Sequence, residues 1–129
     1  LSGVDDPDVK RYTEKEKDFY DQLEEVGANK DDELFTILLA HRPAFVDEYL
    51  KYNFDLILCG HAHGGQWRIP YILNGVFAPD EGWLPSYAGG LYDFDNSQMI
   101  VSRGLAREST RVPRIFNRPE LVIIELKAK

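Results

Sequence analysis

The sequence predicts an α/β chain, and three observations predict it. "LFTILLA" (34–40) and "FDLILC" (54–59) are short apolar runs rich in strand formers, the length of buried strands and too short for core helices. Between them, "PAFVDEYLKYN" opens on a proline, which a first helical turn tolerates, and sets Phe45, Val46, Tyr49 and Leu50 on one helical face. Strand, helix and strand in such a short span form a βαβ unit with parallel strands. Past Gly65 the character changes: "QWRIP", "GVFAP", "LYDFD", "QMIVSRG" and "ELVIIELK" are strand-like runs broken by Gly, Pro and Asn-Ser turns.

Taken in order, residues 1–12 read as a polar, turn-rich lead. Thr13 offers an N-cap with Glu16 at capping-box spacing, and Phe19, Tyr20, Leu23 and Val26 follow at helical intervals up to a stop at Gly27. The spacing predicts a helix over 14–26 with one buried stripe. "NKDDE" and "DDPD" are solvent-facing loops. The first strand runs into His41 and the second into Gly60 and His61. "YDFDNSQMIVSR" predicts a hairpin around Asn96-Ser97, and Leu121–Leu126 a final strand, central or edge. The whole is one domain, 1–129, with an α/β portion over 1–66 and a β-rich portion over 67–129.

Hydrophobic residues make up 43% and charged ones 29% of the 129 residues, the balance of a soluble globular chain. No apolar run is long enough for a transmembrane helix, and none reads as a signal peptide. Net charge is −7 and the pI near 4.9, which argues against a nucleic-acid partner, since that binding runs on Lys and Arg. The single cysteine, Cys59, excludes an internal disulfide and reads as a small core residue rather than a nucleophile. The chain opens on Leu1 rather than Met, so a processed or excised piece is expected.

The chemistry is expected where the strands end, because parallel sheets present ligands at their carboxyl edge. The chain has three histidines, His41, His61 and His63. In an extended segment residues i and i+2 point the same way, which would aim His61 and His63 into one space. Neighbouring strands lie about 4.8 Å apart, which would bring His41 there too. Neutral imidazole is the commonest protein ligand for transition-metal dications. On these residues alone a metal site and a set of ordinary polar strand ends both stand. Arg42 and Arg103 are candidates to steer a phosphate, guanidinium matching its geometry. Asn74, Tyr87 and Tyr92 are candidates to line a cleft, and Trp67, Phe77 and Trp83 belong either to the core or to a lipid-facing rim.

"GHAHGGQ" resembles the Gly-His-x-His signature of the calcineurin-like metallophosphoesterases, and "ILLAHRP" the lone-histidine segment preceding it. "GVDDP", "DLILCGHAHGGQWRIP", "YAGGLY", "VSRGL" and "RIFNRPELVIIEL", in that order, resemble the bacterial phosphodiesterase branch of that family, often membrane-tethered. The resemblance implies a partial metallophosphoesterase sandwich and a dinuclear centre, with His41 and His61 on one divalent metal and His63 on the other. Manganese, iron and zinc all suit such a centre. It implies hydrolysis of a phosphoester, a phosphodiester or lipid-linked phosphate above all, in a bacterial parent held at the membrane through a segment outside this chain. The family's Asp-x-His, Gly-Asp and Gly-Asn-His motifs do not occur in this sequence. The expectation is therefore a C-terminal portion that binds metal weakly or not at all, is inactive alone, and self-associates as a homo-oligomer through apolar surface. The competing readings are a mononuclear three-histidine zinc hydrolase and a non-catalytic association fragment.

Overall fold

The computed structural model describes residues 1–9, 17–78, 81–106 and 112–127. Its centre is a five-stranded sheet in the order β1-β2-β3-β7-β6. The strands are β1 (Ser2–Gly3), β2 (Ile37–Leu39), β3 (Leu56–Cys59), β6 (Gly90–Asp93) and β7 (Gln98–Val101). β2, β3 and β7 run parallel, and β1 runs parallel to β2. The sheet is thus α/β in character, as the two apolar runs predict. β6 and β7 form the antiparallel hairpin around Asn96-Ser97, with Asp93 opposite Gln98 and the Phe94 N–H donating to the Ser97 carbonyl at 2.9 Å.

Register sorts the apolar residues into two faces, because side chains on paired positions point the same way. Leu38, Ile57 and Met99 form one row and Cys59 and Val101 another, all buried on the inner face. Helices α1 (Phe19–Ala28) and α2 (Val46–Leu50) accompany this face, adding Phe19, Leu23, Val46 and Tyr49 to the core. Phe19 meets the rings of Phe45 and Tyr49 edge-on at 5.2 and 6.1 Å, an arrangement that adds to plain area burial.

Helix α1 departs from the expected bounds. Its N-cap is Asp18, which accepts from the Asp21 N–H while the Asp21 carboxylate accepts from the Asp18 N–H. Residues 17 and 18 precede the helix, and the Thr13–Glu16 spacing lies outside the described residues. Gly27 does not stop the helix, which runs on to Ala28 and caps at Asn29. The glycine is there for packing: a Cβ on it would sit 2.1 Å from the Tyr52 ring.

The β-rich portion is thinner than its sequence suggests. "GVFAP" supplies β4 (Phe77–Ala78), paired only with β5 (Gly82–Trp83), and "QWRIP" makes isolated bridges, Trp67 to Ile115 and Ile69 to Leu73. The run Leu121–Leu126 is not a strand. Strand composition supplies no pairing edge, and β3 and β7 already have both edges occupied. Conversely, the polar lead yields β1, which one apolar-flanked turn of sequence did not predict.

The outer face of the sheet carries the row Leu39, Leu58, Ile100 and Leu91. Leu39 and Leu91 are exposed, and Leu121, Val122 and Ile124 border the same face across a cleft of about 450 Å³.

Candidate metal centre

β1, β2 and β3 are adjacent and parallel, so their carboxyl ends open on one edge. Each is followed within three residues by a side chain with metal-ligating atoms: Asp6, His41 and His61. Val4 N–H donates to the Leu39 carbonyl at 3.0 Å and Gly60 N–H to the His41 carbonyl at 3.1 Å, which ties the three exits together. His41 Nε2 and His61 Nδ1 stand 3.0 Å apart, the rings meeting edge-on. Asp6 Oδ2 is 3.6 Å from His41 Nε2. One donor atom from each of the three lies within 4.8 Å of the others.

This donor set fits a transition-metal dication. Two nitrogens each about 2.1 Å from one ion are about 3 Å apart at a right angle, wider at a tetrahedral one. The 3.0 Å between His41 Nε2 and His61 Nδ1 falls in that span, the Asp6 carboxylate stands slightly wider at 3.6 Å from His41, and one carboxylate with two imidazoles matches the ligand types such ions take. Arg42 holds the carboxylate in place: its Nε donates to Asp6 Oδ2 at 3.0 Å and its Nη2 to Asp8 Oδ2 at 2.5 Å. Burial works against ionising Asp6, but Arg42 and the Asp8 backbone N–H outweigh it, and the carboxyl stays below its ordinary range.

His63 is not in that cluster. The extended geometry expected for 61–63 does not occur, because β3 ends at Cys59. His61, His63, Gly64, Gly65 and Gln66 all take positive φ, and 63–65 form a 3₁₀ turn. For His61, His63 and Gln66 that backbone is strained, a condition that persists only where surroundings enforce it. At His63 and Gln66 buried Asn117 does the enforcing: its Nδ2 donates to their carbonyls at 2.6 and 3.2 Å. Gly64 is obligatory here, with φ at 66° and a built Cβ only 2.4 Å from Asn117 Oδ1. His63 Nδ1 faces Arg114 Nη2 at 3.5 Å. Its pKa is lowered by burial first, then by the Arg114 charge and the other two histidines, so the ring is held neutral.

The two sequence-predicted arginines have protein partners. Arg42 braces Asp6 and Asp8, and Arg103 passes between Gly64 and Gly89 to an ion pair with Glu120. Asn74 and Tyr92 hydrogen-bond to one another and to Gly89. Cys59 is buried and its thiol is pushed up to about 12, by burial first and the Glu81 charge second, the state of an inert core thiol. Sequence reasoning missed Asp6. A signal was present: "SGV" before "DDP" repeats, in miniature, the apolar-run-then-ligand pattern of "LLAH" and "LILCGH".

An α/β sheet with imidazoles and a carboxylate meeting at its carboxyl edge is a candidate site for a divalent metal. The chain is 37% identical to an uncharacterized metallophosphoesterase of Aquifex aeolicus, over all of this chain and 46% of that protein. It is 36% identical to the uncharacterized metallophosphoesterase YkuE of Bacillus subtilis over 75% of this chain and 32% of that protein. It is 37% identical to the phosphodiesterase YaeI of Escherichia coli over 70% of this chain and 32% of that protein. The chain belongs to the metallophosphoesterase family, and spans a third to a half of the length of these relatives. No protein-family profile and no solved structure matches it.

Proposed function

We propose that the protein to which this sequence belongs hydrolyses phosphoesters, phosphodiesters foremost, with divalent metal ions. The observation that carries this reading is the Asp6–His41–His61 cluster at three adjacent strand ends in a chain of this family. His41 and His61 hold one ion, with Asp6 beside them. His63, on the strained turn and outside that cluster, would belong to the second. A metal pair supplies Lewis-acid stabilisation of a phosphoryl group and an activated water. The chain's own part is to present imidazole nitrogens at the strand ends and to keep Asp6 ionised through Arg42.

One carboxylate and three imidazoles are few donors for two dications. The chain therefore corresponds to the C-terminal part of the relatives, supplies part of a dinuclear centre and is weak or inactive alone. The apolar outer row Leu39, Leu58, Ile100 and Leu91 supports association, with another copy of the chain when it stands by itself.

The test is hydrolysis of bis(p-nitrophenyl) phosphate with manganese, comparing a protein of the relatives' full length with this chain. The full-length protein is expected to turn over, with His61→Ala removing at least a hundredfold of the rate, roughly the upper end of losses from disturbed metal shells. Turnover unchanged by His61→Ala would end the reading, and full turnover by this chain alone would end the half-site claim.

A further inference from the structure

Arg42, Arg103 and Arg114 lie about the metal-centre edge and differ in what neutralises them. Arg42 is held by Asp6 and Asp8, and Arg103 by Glu120. Arg114 meets no carboxylate among the described residues. Its Nη2 donates to the Arg103 carbonyl at 2.6 Å and lies 3.5 Å from His63 Nδ1. Its other two nitrogens, Nε and Nη1, are buried without a hydrogen-bond partner.

The backbone pins this side chain where it is. Ile115 N–H donates to the Gln66 carbonyl and Arg68 N–H to the Ile115 carbonyl, both at 3.0 Å. Asn117 ties the same loop to His63. A guanidinium cannot shed its charge, and a buried N–H without an acceptor is costly to keep. Such donors are rare, and these call for an acceptor that the fold does not supply. Charge tells the same story. Burial first and the Arg103 charge second press the Arg114 pKa down. Burial opposes the Arg42 charge too, but Asp6 and Asp8 outweigh it and raise its pKa.

The acceptor that fits is an oxyanion of tetrahedral shape, since guanidinium donors match phosphate geometry and the bonds are charge-assisted. We infer that Arg114 binds a non-bridging oxygen of the phosphoester beside His63, in preference to Arg42 and Arg103, which carboxylates already hold. The inference rests on the phosphoesterase reading and names the residue that reads the substrate's charge. The contact needs no metal. Nε and Nη1 are covered in this structure, so the side chain shifts as the anion enters.

The experiment is titration of the metal-free chain with inorganic phosphate at constant ionic strength, followed by NMR of the Arg114 Nε–H and the His63 ring. Saturable shifts at both are expected, with chloride and acetate giving none. Arg114→Gln is expected to weaken phosphate binding roughly tenfold to a hundredfold, the loss of a charge-assisted bond. Arg114→Lys keeps the charge without the fork and is expected to cost less, and it carries the test if the Gln variant does not fold. Arg118→Gln, at an exposed position, is expected to bind like the parent chain. Phosphate taken up no better than chloride or acetate would overturn the inference, as would a folded Arg114→Gln that binds phosphate as the parent does. Zinc binding to the same variants keeps the two readings apart. A lost phosphate response with zinc binding intact strikes this inference alone, whereas a parent chain that takes no zinc strikes the metal reading.

Discussion

Asn117 offers the sharpest test of how the site is held. Replacing it with Ala deletes two hydrogen bonds, to the carbonyls of His63 and Gln66. Each bond is worth about 1 kcal/mol net, and each carbonyl left dry costs about 1 kcal/mol or more besides. One term runs the other way. Asn117 Oδ1 is buried and accepts no hydrogen bond, so its removal returns about 1 kcal/mol. The balance is a loss of about 3 kcal/mol, against a domain stability of about 5–15 kcal/mol. For a chain of this size that lowers the melting temperature by about 12 °C. Asn117→Asp keeps the shape, loses the donors and buries a charge beside two carbonyls, so it is expected to cost more than Ala. Thermal denaturation followed by circular dichroism reads both. Melting temperatures of both variants within about 2 °C of the parent would refute the claim that this side chain enforces the left-handed turn.

Three further outcomes follow from the same structure. Gly64→Ala forces a Cβ into Asn117 at a φ of 66° and is expected to cost about 1–3 kcal/mol; a melting curve like the parent's would contradict it. Cys59, with its thiol pushed up to about 12, is expected to resist a thiol reagent in the native state and react fully in denaturant, and rapid native labelling would count against its burial. Asp55 accepts from the Thr36 N–H and Oγ1, both at 2.7 Å; burial opposes its ionisation, but these Thr36 bonds prevail and lower its pKa. A lowered folded-state value means stability that is complete above the unfolded carboxyl pKa of about 3.9 and lost as pH falls through the folded value. Asp55→Asn is expected to flatten the acid limb of melting temperature against pH, and an unchanged limb would be the contrary result.

The sheet was legible where hydrophobicity alone decides: β2, β3 and the β6–β7 hairpin follow from their apolar runs and turn. It was illegible where partners decide. Leu121–Leu126 has the composition of a strand and stays unpaired although β1 and β6 are edge strands, while Ser2–Gly3 has little strand character and pairs with β2. Gly27 read as punctuation because a sequence does not show the Tyr52 ring packed against it. At the site, adjacency of the His41 and His61 strands was readable from the βαβ unit. The placement of His63 was not, since it depends on a left-handed backbone imposed by Asn117, 54 residues away. Asp6 was hidden for the same reason as β1: its strand is two residues long.

The central claim is that Asp6, His41 and His61 take up a metal ion together. With only three histidines in the chain, long-range proton–nitrogen NMR of the imidazoles during a zinc titration addresses it directly. The account predicts coordination shifts at His41 Nε2 and His61 Nδ1 in the first step, with the His63 nitrogens unmoved and the step weakened by Asp6→Asn. Zinc that leaves both of those nitrogens unshifted, or that shifts His63 alone, would contradict it.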